Sequence, residues 1–186
     1  SYTSNVRYKL PPGSGSSKTV YVWFKDAKGN VSQGSFDSIN INFKPYSLTI
    51  LSVGALHTCT ILSNSSAQCW GYEDDGRLGN GSTYFSSHSS QTTPINVSGL
   101  TGAVELSSGE AHTCALLSNG TAKCWGWGEF GQLGNGSTSS QSSPVSVSGL
   151  TGAVELSSGG SHTCALLSVG TVQCWGRGNQ GQLGNA

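Results

Sequence analysis

No methionine occurs anywhere in the chain, and only 10% of its 186 residues are charged. Nine basic side chains stand against nine acidic ones, a formal net charge of zero. So thinly charged a surface cannot neutralise many phosphates, which supply most non-specific nucleic-acid affinity, and this excludes an ordinary DNA or RNA binder. Also missing is any apolar run long enough to cross a bilayer, so no membrane insertion is expected of this stretch. No basic, apolar leader opens it either; an export signal or an anchor would lie outside these residues. No helical period is sustained, which argues against helical bundles.

What is present is glycine, 27 residues of it, with Ser/Thr-rich connectors between short apolar runs, a composition of strands and turns. The organising stretch is HTCALLSNGTAKCWG from His112 to Gly126, which recurs as HTCTILSNSSAQCWG from His57 and HTCALLSVGTVQCWG from His162. The first cysteines, Cys59, Cys114 and Cys164, lie 55 and then 50 residues apart, a period that marks stacked supersecondary units. Ser118-Asn119-Gly120 suits a three-residue hairpin loop with glycine in the left-handed region. That loop closes at Leu117 and Thr121, sets Leu116 opposite Ala122 and Ala115 opposite Lys123, and brings Cys114 directly opposite Cys124. A two-residue Asn-Gly loop would slip the register by one and put the cysteines on opposite faces. It would also force Val169 of the third unit to positive φ, which a β-branched residue resists. The register predicts three local disulfides: Cys59 to Cys69, Cys114 to Cys124 and Cys164 to Cys174. The first unit fits least well, because Ser65 stands where glycine should be. Six cysteines in identically spaced pairs point to an oxidising compartment and hence to an extracellular or cell-surface protein.

The zero net charge conceals an asymmetry. Residues 1–46 carry Arg7, Lys9, Lys18, Lys25, Lys28 and Lys44 against Asp26 and Asp37, a net +4. Residues 47–186 carry Arg77, Lys123 and Arg177 against Glu73, Asp74, Asp75, Glu105, Glu110, Glu129 and Glu155, a net −4. In the first segment Val20, Val22 and Phe24 alternate with Tyr21, Trp23 and Lys25 as in a strand, a turn follows at Ala27-Lys28-Gly29-Asn30, and Phe36 to Phe43 returns. This segment resembles the closing strands of the immunoglobulin-like or fibronectin-type modules found in tandem on bacterial surface proteins, which implies a partial β-sandwich.

Each later unit reads as four short strands; in the second they are Ala103 to Ser107, His112 to Leu117, Thr121 to Trp125 and Pro144 to Val147, and the first unit opens with Leu48 to Val53. Four antiparallel strands in about 50 residues is the pattern of a propeller blade, with a solenoid as the alternative. The predicted class is therefore all-β: a partial sandwich over 1–46, then a partial propeller over 47–186 with repeats at about 47–101, 102–151 and a truncated 152–186. The stretches LSSGEAHTCAL from Leu106 and CWGWGEFGQLGNG from Cys124 resemble the repeat of the regulator of chromosome condensation family. Its marks here are Gly-x-x-His ending at His57, His112 and His162, then Trp-Gly at Trp70, Trp125 and Trp175, then Gly-x-Leu-Gly ending at Gly79, Gly134 and Gly184. The resemblance implies a seven-bladed propeller in full-length members. Two full repeats and a shortened third cannot close such a ring, so a fragment at both ends, or copies that assemble to complete it, is expected. The paired cysteines depart from the nuclear members' pattern and fit exported bacterial relatives.

Candidate chemistry is sparse. His57, His112 and His162 each precede a cysteine by two residues, but structural zinc favours cysteine pairs two to four residues apart and the disulfide register uses both sulfurs, so no metal or other cofactor is expected. The histidines read as buried residues fixing the turn after glycine. No catalytic triad is expected, because a repeated histidine suits no unique site. The only non-repeated one, His88, reads as a solvated loop residue. Glu73-Asp74-Asp75-Gly76 lacks the alternating ligand spacing of a calcium loop and reads as a solvated acidic tip.

The informative positions vary while their frame stays fixed. Between Trp-Gly and Gly-x-Leu-Gly the units read Tyr72-Glu73-Asp74-Asp75, Trp127-Gly128-Glu129-Phe130 and Arg177-Gly178-Asn179-Gln180. Loops projecting from a rigid scaffold commonly carry recognition residues, and Trp127 and Phe130 are the strongest contact candidates. Packing against the next blade is the competing role. The sequence predicts a non-catalytic interaction module of a larger bacterial surface or secreted protein, its partner a protein or a cell-surface glycan. The rival readings are a carbohydrate-binding propeller with Trp127, Tyr84 and Phe85 as sugar platforms, and a targeting module for an enzyme encoded elsewhere in a longer chain.

Overall fold

The hairpin turn sets the geometry of every unit. In the computed structural model, which describes residues 50–82 and 89–184, Leu117 N donates to Thr121 O at 2.8 Å and Gly120 N to Leu117 O at 2.9 Å, with Gly120 at φ 76°. This is the three-residue loop, and Cys114 pairs with Cys124 directly across the ladder. The other two hairpins share the register, pairing Cys59 with Cys69 and Cys164 with Cys174, and all three pairs are disulfide-bonded. Ser65 does what glycine does elsewhere, at φ 61°. Beside it Asn64 Oδ1 accepts from Ser66 N at 3.1 Å and Ser66 Oγ at 2.7 Å, an Asx-type turn that holds the loop closed.

Eleven strands are described: β1 Leu51–Val53, β2 His57–Ile61, β3 Ala67–Tyr72, β4 Ser90–Asn96, β5 Ala103–Ser108, β6 His112–Leu117, β7 Ala122–Gly126, β8 Gln141–Ser146, β9 Ala153–Ser158, β10 His162–Leu167 and β11 Val172–Gly176. They form three antiparallel sheets in simple meander order, β1-β2-β3-β4, β5-β6-β7-β8 and β9-β10-β11. The first strands of successive sheets touch, β1 with β5 and β5 with β9, so the sheets stack as neighbouring blades. The fourth strand of the second blade starts at Gln141, three residues before the expected Pro144. Pro144 falls where the β7–β8 register slips between Cys124 and Gly126, so its missing N–H breaks no regular ladder. The third strand runs from Ala122 to Gly126 rather than from Thr121 to Trp125, because Thr121 closes the turn. The chain divides into two units between Tyr46 and Ser47. The sandwich reading of residues 1–46, and those of Tyr84, Phe85 and His88, lie outside the described residues.

Apolar side chains are buried between blades rather than within one. Ile61, Leu78, Val97 and Leu100 of the first blade pack with Leu106, Ala115 and Trp125 of the second, and Leu116, Leu133, Val147 and Leu150 of the second with Leu156 and Ala165 of the third. A blade is therefore stabilised mainly by its neighbour. The Cys114–Cys124 bridge should add about 2.5 to 3 kcal/mol on the chain-entropy model. Replacing both cysteines by alanine is expected to lower the free energy of chemical unfolding by about that amount while the far-ultraviolet spectrum persists. Loss of the spectrum would show that the interblade packing cannot hold the sheet alone.

Candidate functional site

The histidine of each unit has two structural tasks. Its carbonyl closes the preceding turn, Gly109 N donating to His112 O at 2.8 Å and Gly54 N to His57 O at 2.9 Å. Its ring lies over that glycine so closely that a Cβ on Gly109 would fall 2.3 Å from His112 Cε1 and 2.5 Å from Gly159 O in the third blade. Only glycine fits there. The ring also crosses the seam: His57 Nε2 lies 2.7 Å from Thr113 Oγ1 and His112 Nε2 lies 2.9 Å from Thr163 Oγ1. Thr163 Oγ1 donates its proton to Gln132 O at 3.2 Å, so it accepts from His112, and the imidazole carries its proton on Nε2. The buried Nδ1 atoms of His57 and His112 have no hydrogen-bond partner among the described residues, which suits a neutral ring. Burial, aided by Arg77, pushes the pKa of His57 down to about 4; burial, with smaller contributions from the histidines on either side, does the same to His112.

The tryptophan of Trp-Gly bonds across the same seam. Trp125 is fully buried and donates from Nε1 to Arg77 O at 3.1 Å, and Trp175 donates to Gln132 O at 2.9 Å. Both acceptors are the variable residue of Gly-x-Leu-Gly in the preceding blade, and the glycine that ends the motif, Gly79 or Gly134, lies against the indole. These motifs are therefore the joint between blades. Among the described residues no group of three or more histidine, cysteine or acidic side chains could hold a metal.

The variable loops emerge beside this joint. In all three units the residue after Trp-Gly donates its backbone N–H to the residue before the histidine: Tyr72 to Leu56 at 2.8 Å, Trp127 to Ala111 at 2.9 Å and Arg177 to Ser161 at 2.9 Å. One backbone position thus presents tyrosine, tryptophan and arginine in turn, and of these Trp127 and Arg177 each meet the preceding blade. Trp127 lines a cleft of about 270 Å³ with Asp75 and Arg77 from the first blade, Leu56 and Glu110. Trp127 packs edge to face with Phe130 at 5.1 Å, and the guanidinium of Arg177 lies 4.9 Å from the Phe130 ring centroid. Trp127 is half-buried, Phe130 is 39% exposed, and Glu129, Arg177, Asn179 and Gln180 are exposed.

The solvated acidic tip is a misreading. Glu73 and Asp74 are buried. Glu73 Oε1 accepts from Asn80 Nδ2 at 3.0 Å, and Oε2 from Ser89 Oγ at 2.9 Å and Gln91 Nε2 at 3.0 Å. These bonds, that of Gln91 foremost, hold its carboxyl below the usual range. Asp74 Oδ2 accepts the Tyr72 hydroxyl at 2.7 Å, a bond that raises the phenol. Of the acidic run Asp75 alone is half-exposed, at φ 61° and paired with Arg77 at 2.7 Å. The first loop is thus a closed structure whose outward residues are Tyr72 and Asp75. The lining residues Arg77, Leu56 and Glu110, and the seam threonines Thr113 and Thr163, were not singled out in the sequence. The threonine signal was present in the repeated His-Thr-Cys.

The model of the regulator of chromosome condensation (RCC1) repeat matches residues 69–116 and 119–166, and a second model of that repeat matches 103–132 and 153–182. The ultraviolet-B receptor UVR8 of Arabidopsis thaliana is 36% identical over 97 residues, 50% of this chain and 21% of the receptor. The human E3 ubiquitin-protein ligase HERC2 is 33% identical over 92 residues, 47% of this chain and 2% of the ligase. Among solved structures, Prp20p of Saccharomyces cerevisiae, characterised for its binding to Gsp1p and histones, superposes with a TM-score of 0.60 at 28% identity, covering 73% of this chain and 34% of Prp20p. The chain therefore spans only a minor part of each relative's length.

Proposed function

Because the chain belongs to the regulator of chromosome condensation (RCC1) repeat family, we propose that it is a non-catalytic interaction module whose variable loops form a protein-binding face. One observation carries this reading: a backbone position fixed by the same hydrogen bond in three blades presents Tyr72, Trp127 and Arg177, while the seams behind it repeat unchanged. Side chains free to differ on an unchanging frame are what recognition of a particular partner requires. The exposed Phe130 ring, in contact with Trp127 and Arg177, forms with them a cluster of the aromatic and guanidinium groups that dominate binding energy at interfaces. The binding of Gsp1p and histones by Prp20p supports a protein as the class of partner. Three disulfides support an oxidising, extracellular or cell-surface setting.

Photocrosslinking from position 130, with Val154 as a control position outside the loops, tests the face. A protein captured only from position 130 is expected. Its affinity for the chain should fall about thirtyfold when Trp127 and Phe130 are both replaced by alanine, since an aromatic anchor is worth about 2 kcal/mol or more. Equal capture from both positions, or unchanged affinity in the double variant, would refute the assignment. Binding to a glycan array lost in the same variant would move the face to the carbohydrate reading.

A further inference from the structure

The two seams differ where the variable loops meet them, although each has a described blade on both sides. In the second seam Arg177, which stands where the second unit has Trp127, lays its guanidinium 4.9 Å from the ring centroid of Phe130 in the preceding blade. The first seam holds a different set. Its earlier wall carries Asp75 in the place of Phe130, its later wall carries Trp127, and between them lies the cleft of about 270 Å³. Ala55, Leu56 and Ala111 line it with apolar surface, and Glu110 brings a carboxylate. Glu110 is exposed and its carboxylate has no ion pair among the described residues, nor does any cation among them lie over the Trp127 ring.

The one guanidinium lining the cleft is already engaged. Arg77 donates from Nε to Asp74 O at 2.9 Å and from Nη2 to Asp75 Oδ2 at 2.7 Å, lies 5.0 Å from the Tyr72 ring centroid, and leaves only 7% of its side chain exposed. An anionic guest would therefore meet the Glu110 carboxylate opposite a cation that Asp75 has neutralised. A bare metal ion would find an indole and apolar side chains where it needs a shell of oxygens. What fits is a cation carried on an apolar stem, with Ala55, Leu56 and Ala111 against the stem, the Trp127 ring against the charge, and Glu110 to pair with it. We infer that this cleft is the specificity pocket of the loop face and takes an arginine or lysine side chain of the protein partner, held between Trp127 and Glu110. The inference rests on the protein-binding reading above and names the residue that the face selects. The net −4 of residues 47–186 favours the approach of such a segment.

A random peptide library selected on the 186-residue chain tests it, with the Trp127→Ala/Phe130→Ala variant for counter-selection. Peptides that bind the chain and not the variant are expected to share an arginine or lysine. Replacing that residue by methionine, which keeps the stem and removes the charge, should weaken binding about tenfold. Glu110→Lys, at an exposed position, should weaken it at least as much with an unchanged circular dichroism spectrum, and a peptide carrying glutamate in place of its cation should regain affinity for that variant. Glu155→Lys makes the same charge change at an exposed position outside the cleft and should alter affinity little. Selected peptides without a shared cation, or equal losses from Glu110→Lys and Glu155→Lys, would overturn the cationic pocket and leave the protein-binding face standing. A library that yields no peptide able to tell the chain from the Trp127→Ala/Phe130→Ala variant would refute the face itself, and the pocket with it.

Discussion

Trp125→Ala is expected to lower unfolding free energy by about 3 to 5 kcal/mol, the cost of truncating a fully buried tryptophan. The indole is buried between two blades, lies over Gly79 and donates to Arg77 O at 3.1 Å. Its loss opens a cavity at the seam and strands a carbonyl whose alternative partner, water, is excluded. Trp125→Phe separates the two effects, since it keeps most of the volume but no donor, and about 1 to 3 kcal/mol is expected for it. Guanidinium unfolding of both variants checks the ordering. A loss under 1 kcal/mol for Trp125→Ala would mean that blades hold together by their strand contacts alone.

Acid is the second large perturbation. His57 and His112 are buried neutral with pKa values near 4, against 6.5 for an exposed imidazole. Between these values the unfolded chain binds more protons than the native one, so stability is full above pH 6.5 and declines as the pH falls towards 4. At 1.36 kcal/mol per pH unit each histidine accounts for about 3 kcal/mol across that window. Glu73, with its carboxyl lowered by hydrogen bonds, adds a loss only below about the ordinary glutamate range; Glu105, raised chiefly by burial, acts in the opposite sense. Unfolding midpoints at pH 7.5 and 4.5 should therefore differ strongly in the native chain and much less in a His57→Phe/His112→Phe variant. Equal pH dependence in the two would exclude the histidines as its source.

What was legible in the sequence is whatever short-range geometry decides. A three-residue turn at Ser118-Asn119-Gly120 counts outward to Cys114 opposite Cys124 with no knowledge of the rest of the molecule. Short apolar runs between turn-rich connectors and the repeat spacing then lead to four strands per unit, and the propeller follows from the motifs. The seam was not legible, because His112 and Thr163 lie 51 residues apart and nothing local to either says that they meet. The burial of Glu73 escaped the sequence for the same reason. Glu73 is satisfied by Ser89 and Gln91, which return from a loop whose path the composition does not reveal. Gln141-Ser142-Ser143 has little intrinsic strand preference and joins β8 because the neighbouring Gly126 offers it a ladder partner at Gln141.

Two tryptophans two residues apart, Trp125 in the joint and Trp127 in the loop, embody the division between frame and reading surface on which the functional proposal rests. Parallel unfolding curves of Trp125→Ala and of the Trp127→Ala/Phe130→Ala variant measure that division. The edge-to-face contact that the loop variant loses is worth about 1 kcal/mol, so its curve should lie close to that of the unmodified chain while the Trp125→Ala curve shifts severalfold further. Loop and joint variants with equal losses would place Trp127 and Phe130 in the packing between blades and contradict their assignment to a binding face.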